Sequence, residues 1–556
     1  MTAGKVETLS AAQWFKENSE IAGFDNPGKS TFTSVRELVE NSLDAAEEDI
    51  QLMRDRGDKI AEYPKINVII QPVSHERIRK KLLEHLDVGG TILEGIEEIE
   101  IERDPTVKYY VIEVSDNGPG IPHEFISLVF GTVFTGTKYG IKQGRGRFGM
   151  GAKMAMIHAQ RTTGLDTEIW SSTRDAREES YYRIRIDLKS NSPIYTAQQI
   201  IPDKPWHGLR MRLYIGGNLT WARARILDYF RQLVLVTPYV NLQMRIGDEV
   251  WKWNQVTDEI PPLPSETKPH PYGIDIEGLK EMIARYPKKS MTQNEKRKDL
   301  PTLIEFLTND FQGIGEGTAK KFIRYYLELD PNMRLNKLNE AHIFKLAQAM
   351  SSYEDFPAPD SSCLSILSPE SLEKAANILL EPEYIKSVTG KIVAIKGHPV
   401  HITTSVSFGG NITTGVTLYR FANRIPLLFK ERSDVCYKAL EEANIKRYID
   451  INVHGVTVIV SVVSTRMPYQ DAAKDFIADY DELRDVIKSS MQKAFRRVKT
   501  YITHKEEAKK KEKELEKLKD YANRLSKSLA KITRGMPMSE YEIQHRLMKI
   551  IKREYV

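Results

Sequence analysis

Glu37 and Asn41 stand four residues apart in the segment RELVENSLDA, residues 36–45. That spacing puts a carboxylate and a carboxamide on one face of a helix. The pair suits phosphate chemistry. The carboxamide oxygen of Asn41 can ligate Mg2+, a hard ion that takes oxygen donors. The Glu37 carboxylate can orient and deprotonate a water aimed at a terminal phosphate. A local reading competes: Glu37 lies three residues after Ser34, the spacing of a capping box at a helix start.

Two further groups follow. Asp116-Asn117-Gly118-Pro119-Gly120-Ile121 comes directly after a strand-like run ending at Val114. Asp-Asn-Gly is a common turn. The functional alternative is a base site: Asp116 accepts a hydrogen bond from an adenine amino group, and Gly118 and Gly120 let the backbone approach the base. The third group runs through Gly144, Arg145, Gly146, Arg147, Phe148, Gly149, Met150, Gly151 and Ala152 to Lys153. Glycines ahead of a helix present backbone N–H groups to an anion at its positive end, and Arg147 and Lys153 add charge. No Gly-Lys-Ser/Thr follows at the spacing of a Walker loop.

Elements must hold these groups in place. Val35, Leu38, Val39, Leu43 and Ala46 recur at helical spacing over 34–50. Residues 66–73, 107–114, 180–188 and 208–215 are rich in β-branched and aromatic side chains and read as strands. The charged stretch 74–105 reads as an insertion with its own helix, HERIRKKLLEHL. A proline-rich crossing at 259–271 precedes a helical region over 276–350. Residues 391–465 alternate with glycine turns and read as a second sheet, followed by a helix from about Tyr480 toward Thr500. A Lys/Glu-rich helical tail ends in an apolar stripe of Ile543, Leu547, Ile550 and Ile551, which suggests docking to a partner. The expected fold is multidomain α+β, with domains at 1–250, 251–365, 366–500 and 501–556.

The chain has 556 residues, 41% hydrophobic and 28% charged, with a net charge of +5. It is too weakly basic overall to announce nucleic acid, so DNA contact would come from local patches. No run of ~20 apolar residues points to a membrane span. The opening MTAGKVETLSAAQWF lacks a basic patch followed by an apolar core, so no secretory signal is expected. The two cysteines, Cys363 and Cys436, fit no ligand spacing, which fits a reducing cytoplasm.

The order Glu-x-x-x-Asn helix, strand-Asp-x-Gly-x-Gly, then glycine loop resembles the ATPase family shared by gyrase, the ninety-kilodalton chaperones, histidine kinases and mismatch-repair proteins. The resemblance covers roughly the first 215 residues. It implies a Bergerat-type α/β sandwich holding ATP and Mg2+ under a lid at 130–148 that contains Thr137 and Lys138. Nucleotide contacts are then implied from Asn41, Asp44, Asp116, Gly118, Gly120, Thr137, Lys138, Arg145 and the run from Gly146 to Lys153. The family's late Gly-Thr would be Gly208-Leu209 here, with leucine in place of the hydroxyl residue.

RELVENSLDA, Phe408-Gly409-Gly410 and the segment from Arg420 to Phe429 resemble the B-subunit family of topoisomerase VI. That resemblance covers about residues 1–500. It implies a helix–two-turn–helix domain around Phe311-Gln312-Gly313-Ile314-Gly315, with Lys320 and Lys321, and then a transducer domain. The transducer's γ-phosphate lysine would be Lys474, with Arg466 as a competing candidate. The family's DNA-facing Trp-Lys-x-Tyr corresponds to Ile445-Lys446-Arg447-Tyr448, without the tryptophan. The implied partners are a DNA-cleaving A subunit in an A2B2 assembly, duplex DNA, and a second copy of the chain. That second copy would join on ATP binding through an N-terminal segment with Trp14 and Phe15. An ATP-dependent chaperone or mismatch-repair-like dimerising ATPase is the alternative; it keeps the ATP site but leaves residues 300–350 unexplained.

Overall fold

The computed structural model describes residues 10–60, 62–86, 107–135, 142–146, 149–204, 206–286, 300–471, 473–532 and 539–555. Thr137, Lys138, Arg147 and Phe148, and the side chain of Phe15, lie outside the described residues.

The first region is a sheet layered with helices. After α1 (Ala11–Glu17), α2 (Pro27–Arg56) runs 30 residues. Asn26 caps α2 by accepting from the Lys29 N–H at 2.8 Å, and Gly57 ends it in a left-handed conformation. The helix therefore begins two turns before Ser34. Ser34 is buried inside it, and the capping-box reading of Glu37 fails. Phe32, Val35, Leu38, Val39, Leu43 and Ile50 are buried, each favouring folding by about 1.5–3 kcal/mol.

The strands are β1 (Lys65–Val73), β2 (Lys108–Asp116), β3 (Thr167–Ser172), β4 (Glu178–Asp187), β5 (Ser192–Pro202), β6 (Gly208–Gly217), β7 (Asn241–Ile246) and β8 (Glu249–Trp253). They form an eight-stranded sheet in the order β5-β4-β3-β6-β2-β1-β7-β8, antiparallel except where β1 pairs with β7. Between these strands lie α3 (His75–Leu86), α4 (His123–Gly131), α5 (Gly151–Thr163) and α6 (Leu219–Val236). Helices α2, α5 and α6 cover one face. On the other face, Ile78 of α3 is buried against Tyr109, Leu165 and Tyr214, so the helix of the charged insertion shields the back of the sheet.

A helical region follows: α7 (Ile276–Ala284), α8 (Leu303–Asp310), α9 (Glu316–Lys321), a π-helical turn at Phe322–Leu327, and α10 (Glu340–Ser352). It has its own core of Phe306, Leu307, Phe311, Phe322, Leu346 and Met350. Then come α11 (Pro369–Leu380) and a second sheet of β9 (Tyr384–Thr389), β10 (Val393–Ile395), β11 (His398–Phe408), β12 (Gly415–Ala422), β13 (Ile425–Pro426) and β14 (Gly455–Ser464). The sheet is not continuous along the chain, as expected over 391–465: α12 (Val435–Ala443) interrupts it. The reason is topological. β12 and β14 pair in parallel, and parallel neighbours need a crossover. Phe421, Ile425 and Ile459 join the core of the first region, so the two sheets share one apolar interior through α11.

Helix α13 (Asp481–Ile532) packs Leu483, Ile487, Met491, Phe495 and Val498 on the second sheet and runs on unbroken through residue 500. Helix α14 (Glu540–Tyr555) folds back on it. Ile543 is buried there and Gln544 donates to Asn523, so this end of the terminal stripe docks within the chain, while Ile550 stays exposed. Among the described residues no helix is long and apolar enough to cross a membrane.

Candidate nucleotide site

All three sequence groups meet on α2. Glu37, Asn41 and Ala45 follow one another at four-residue steps, so they line one stripe of the helix about 12 Å long. Each end of the stripe receives a different element.

At the Ala45 end, β2 delivers Asp116. Its Oδ1 accepts from the Gly118 N–H at 3.0 Å and the Leu209 N–H at 3.2 Å. Its Oδ2 is buried without a hydrogen-bond partner among the described residues. Burial pushes this carboxyl up to about 6, against the opposing influence of nearby Ser42 and the two N–H groups. An acceptor held this way is ready for an amino donor. A Cβ on Gly118 would lie 3.1 Å from the Ala45 Cβ, and one on Gly208 would lie 2.0 Å from the Asp116 carbonyl oxygen. Both positions need glycine for close approach. Leu209 thus serves through its backbone N–H. Asn117 points elsewhere: it accepts from the Lys65 N–H and donates to the Tyr63 carbonyl.

At the Glu37 end, the glycine loop opens α5. Gly149 has φ +60°, and a Cβ on Gly151 would fall 1.7 Å from Glu37 Oε2. The carboxylate therefore sits against the first turn of α5, where N–H groups and the helix dipole favour an anion. Asn41 donates through Nδ2 to the Glu37 carbonyl at 2.8 Å, which leaves Oδ1 as its atom for a cation. Among the described residues no cluster of three His, Cys, Asp or Glu could hold a metal. A single carboxamide oxygen completed by phosphate and water is the kind of site Mg2+ accepts.

Lys474 enters this pocket from the second sheet. It lies in the segment between β14 and α13 with φ +58°. Its Nζ stands 3.2 Å from Glu40 Oε2 and 3.6 Å from Glu37 Oε1. Arg36 completes the cluster, 2.9 Å from Glu37 and 3.5 Å from Glu40. Burial disfavours the charge on Glu37, but Lys474 and Arg36 outweigh it and hold the carboxyl below its usual range. On Glu40, burial and the Glu37 charge prevail and raise the value. For Lys474, burial opposes the charge, yet the two carboxylates win and raise it. Asp475 pins the loop, accepting from Lys29 at 3.3 Å. Arg466 is exposed, so of the two candidates Lys474 is the one the fold brings to Glu37.

Other expected contacts sit differently. Arg145 is buried and pairs with Asp44 at 2.8 Å and Glu47 at 2.5 Å. Asp44 and Arg145 thus occupy each other. Lys153 is buried and donates to the Thr135 carbonyl, and burial lowers it to about 8. Lys320 and Lys321 are exposed and paired with Glu316 and Asp355. Ile445 is buried in the second core, while Lys446 and Arg447 are exposed. Sequence reasoning missed Arg36, Glu40, Glu47 and Arg424. Glu40 lies one turn from Glu37 in the same segment, but only the docked loop shows that it faces Lys474.

The class of protein this pocket defines is matched by a family model described as histidine kinase-, DNA gyrase B- and HSP90-like ATPase, over residues 30–190. A second model, the topoisomerase VI B subunit transducer, matches residues 359–514. The B subunit of type 2 DNA topoisomerase 6 from Metallosphaera sedula is 32% identical over 557 residues, covering 98% of this chain and 95% of that protein. Its counterpart from Saccharolobus solfataricus is 31% identical over 560 residues, covering 99% and 96%. The chain belongs to the topoisomerase VI B-subunit family.

Proposed function

We propose that this chain is the ATP-binding and ATP-hydrolysing B subunit of a type II DNA topoisomerase, working in the cytoplasm with a DNA-cleaving A subunit in an A2B2 assembly. The observation that carries this reading is Lys474, from the segment after β14, seated on Glu37 and Glu40 of α2. It makes one pocket answerable to two domains.

ATP lies along the α2 stripe, with adenine at Asp116 and phosphates at the α5 terminus. Gly118, Gly120, Gly146, Gly149, Met150, Gly151 and Ala152 supply backbone approach and N–H groups. By family resemblance, Thr137, Lys138, Arg147 and Phe148 would also contact the nucleotide. Bound Mg2+ would neutralise charge on the β- and γ-phosphates, held from the protein by Asn41 Oδ1. Glu37 takes a proton from a water whose oxygen bonds to the γ-phosphorus as the bond to the β-bridging oxygen breaks, giving ADP and phosphate. Lys474 leaves the two carboxylates for the γ-phosphate, which frees Glu37 to act and ties the second sheet to the nucleotide state. Two copies close on ATP and capture a duplex. The exposed Lys446 and Arg447 would contact its phosphates. The test is ATP-dependent relaxation of supercoiled DNA by this chain plus a candidate A subunit. Relaxation requiring both chains and ATP is expected; relaxation that ignores ATP would contradict the reading.

A further inference from the structure

We propose that the second sheet positions the phosphate loop directly through Asn423 and Arg424, by a connection separate from Lys474. This inference rests on the nucleotide reading above and deepens it.

Three consecutive residues at the root of the glycine loop are each tied to another part of the chain. Gln143 makes a reciprocal pair with the backbone of Ser365: its Nε2 donates to the Ser365 carbonyl at 3.2 Å, and its Oε1 accepts from the Ser365 N–H at 2.8 Å. The Gly144 carbonyl accepts from Asn423 Nδ2 at 3.1 Å. Arg145 grips Asp44 and Glu47 of α2. Glu47 in turn accepts from Arg424 at 2.8 Å, and Arg424 donates to the Tyr239 hydroxyl at 2.6 Å, which donates back to Glu47 at 2.6 Å. Gln143, Arg145, Glu47, Asn423 and Arg424 are all buried. Two arginines, one from the loop and one from the second sheet, thus share one carboxylate of α2.

The turn that delivers these contacts is itself held tightly. Asn423 and Arg424 join β12 to β13 with φ +49° and +64°, the left-handed pair that a two-residue hairpin turn calls for. Asn423 Oδ1 accepts from the Ser464 N–H at 2.8 Å. One side chain therefore bridges the end of β14, ten residues before Lys474, to the loop. Lys474 can report only a γ-phosphate that is present. Asn423 and Arg424 hold the loop by contacts that need no γ-phosphate, so phosphate affinity depends on how the second sheet sits. Asn423 and Arg424 are positioning residues, since they act through Gly144 and Arg145.

Asn423→Asp separates this role from folding. Aspartate tolerates the left-handed backbone and still accepts from Ser464, but it faces the Gly144 carbonyl with an acceptor instead of a donor. In the full chain, AMP-PNP binding by calorimetry should weaken about three- to tenfold, the scale of one lost hydrogen bond. Adenosine, which engages only the Asp116 end, should bind as it does to the parent. Unchanged AMP-PNP affinity, or equal weakening of both ligands, would overturn the proposal. Should Asn423→Asp fail to fold, Asn423→Gly, which keeps the φ +49° backbone and removes the donor to Gly144, carries the same comparison with the same two outcomes. A parent chain that binds no AMP-PNP sinks the nucleotide reading and this inference with it.

Discussion

Replacing Glu40 with glutamine should tighten the grip of this protein on a nucleoside triphosphate. Lys474 rests on Glu40 at 3.2 Å and on Glu37 at 3.6 Å. Reaching a γ-phosphate means leaving both. At 3.2 Å the gross attraction to Glu40 is about 5 kcal/mol with an effective dielectric of ~20. Desolvation of two buried charges cancels most of it, leaving a net hold of about 1–2 kcal/mol, or roughly a 5- to 30-fold change in affinity. Glutamine keeps the shape and removes the charge, and Arg36 retains Glu37 at 2.9 Å. In calorimetry at near-neutral pH, Glu40→Gln should bind AMP-PNP more tightly by that factor. ADP affinity should stay at the parent value, because only a γ-phosphate recruits Lys474. Equal shifts for both nucleotides, or weaker AMP-PNP binding, would refute the idea that Glu40 parks the lysine.

Lys474→Ala should still bind ADP but lose ATP-induced dimerisation in analytical ultracentrifugation; dimerisation at the parent ATP concentration would remove the lysine from the gate. Asp116 gives a pH signature. Burial raises it from 3.8 to about 6, so its contribution to stability is present below pH 3.8 and is lost as pH rises through about 6. An adenine amino donor favours the charged carboxylate, so AMP-PNP affinity should fall as pH drops below about 6, by at most about tenfold per pH unit. Asp116→Asn should flatten that fall, and an identical profile in the variant would place the titration elsewhere.

The pocket was legible in the sequence because its parts are local. Glu37 and Asn41 share a helix turn, Asp116 ends a strand, and Gly151 opens a helix; spacing and order alone bring such groups into view. Contacts between distant segments were not legible. Arg145 looks like a phosphate ligand until Glu47 and Asp44 are seen to hold it, and Glu47 carries no signal of the Arg424 that shares it. The start of α2 was misplaced because Asn26 and Pro27 precede any apolar periodicity. The helix α12 was missed because its nine residues lie between strongly β-branched strands. The terminal stripe was assigned to a partner because its spacing says only that something covers it, and for Ile543 that something is α13.

The central claim is that Glu37 is the group that activates water at this pocket. Steady-state ATP turnover and AMP-PNP binding by the full-length Glu37→Ala protein test it together. Turnover should disappear while AMP-PNP still binds; turnover at the parent rate would contradict the account.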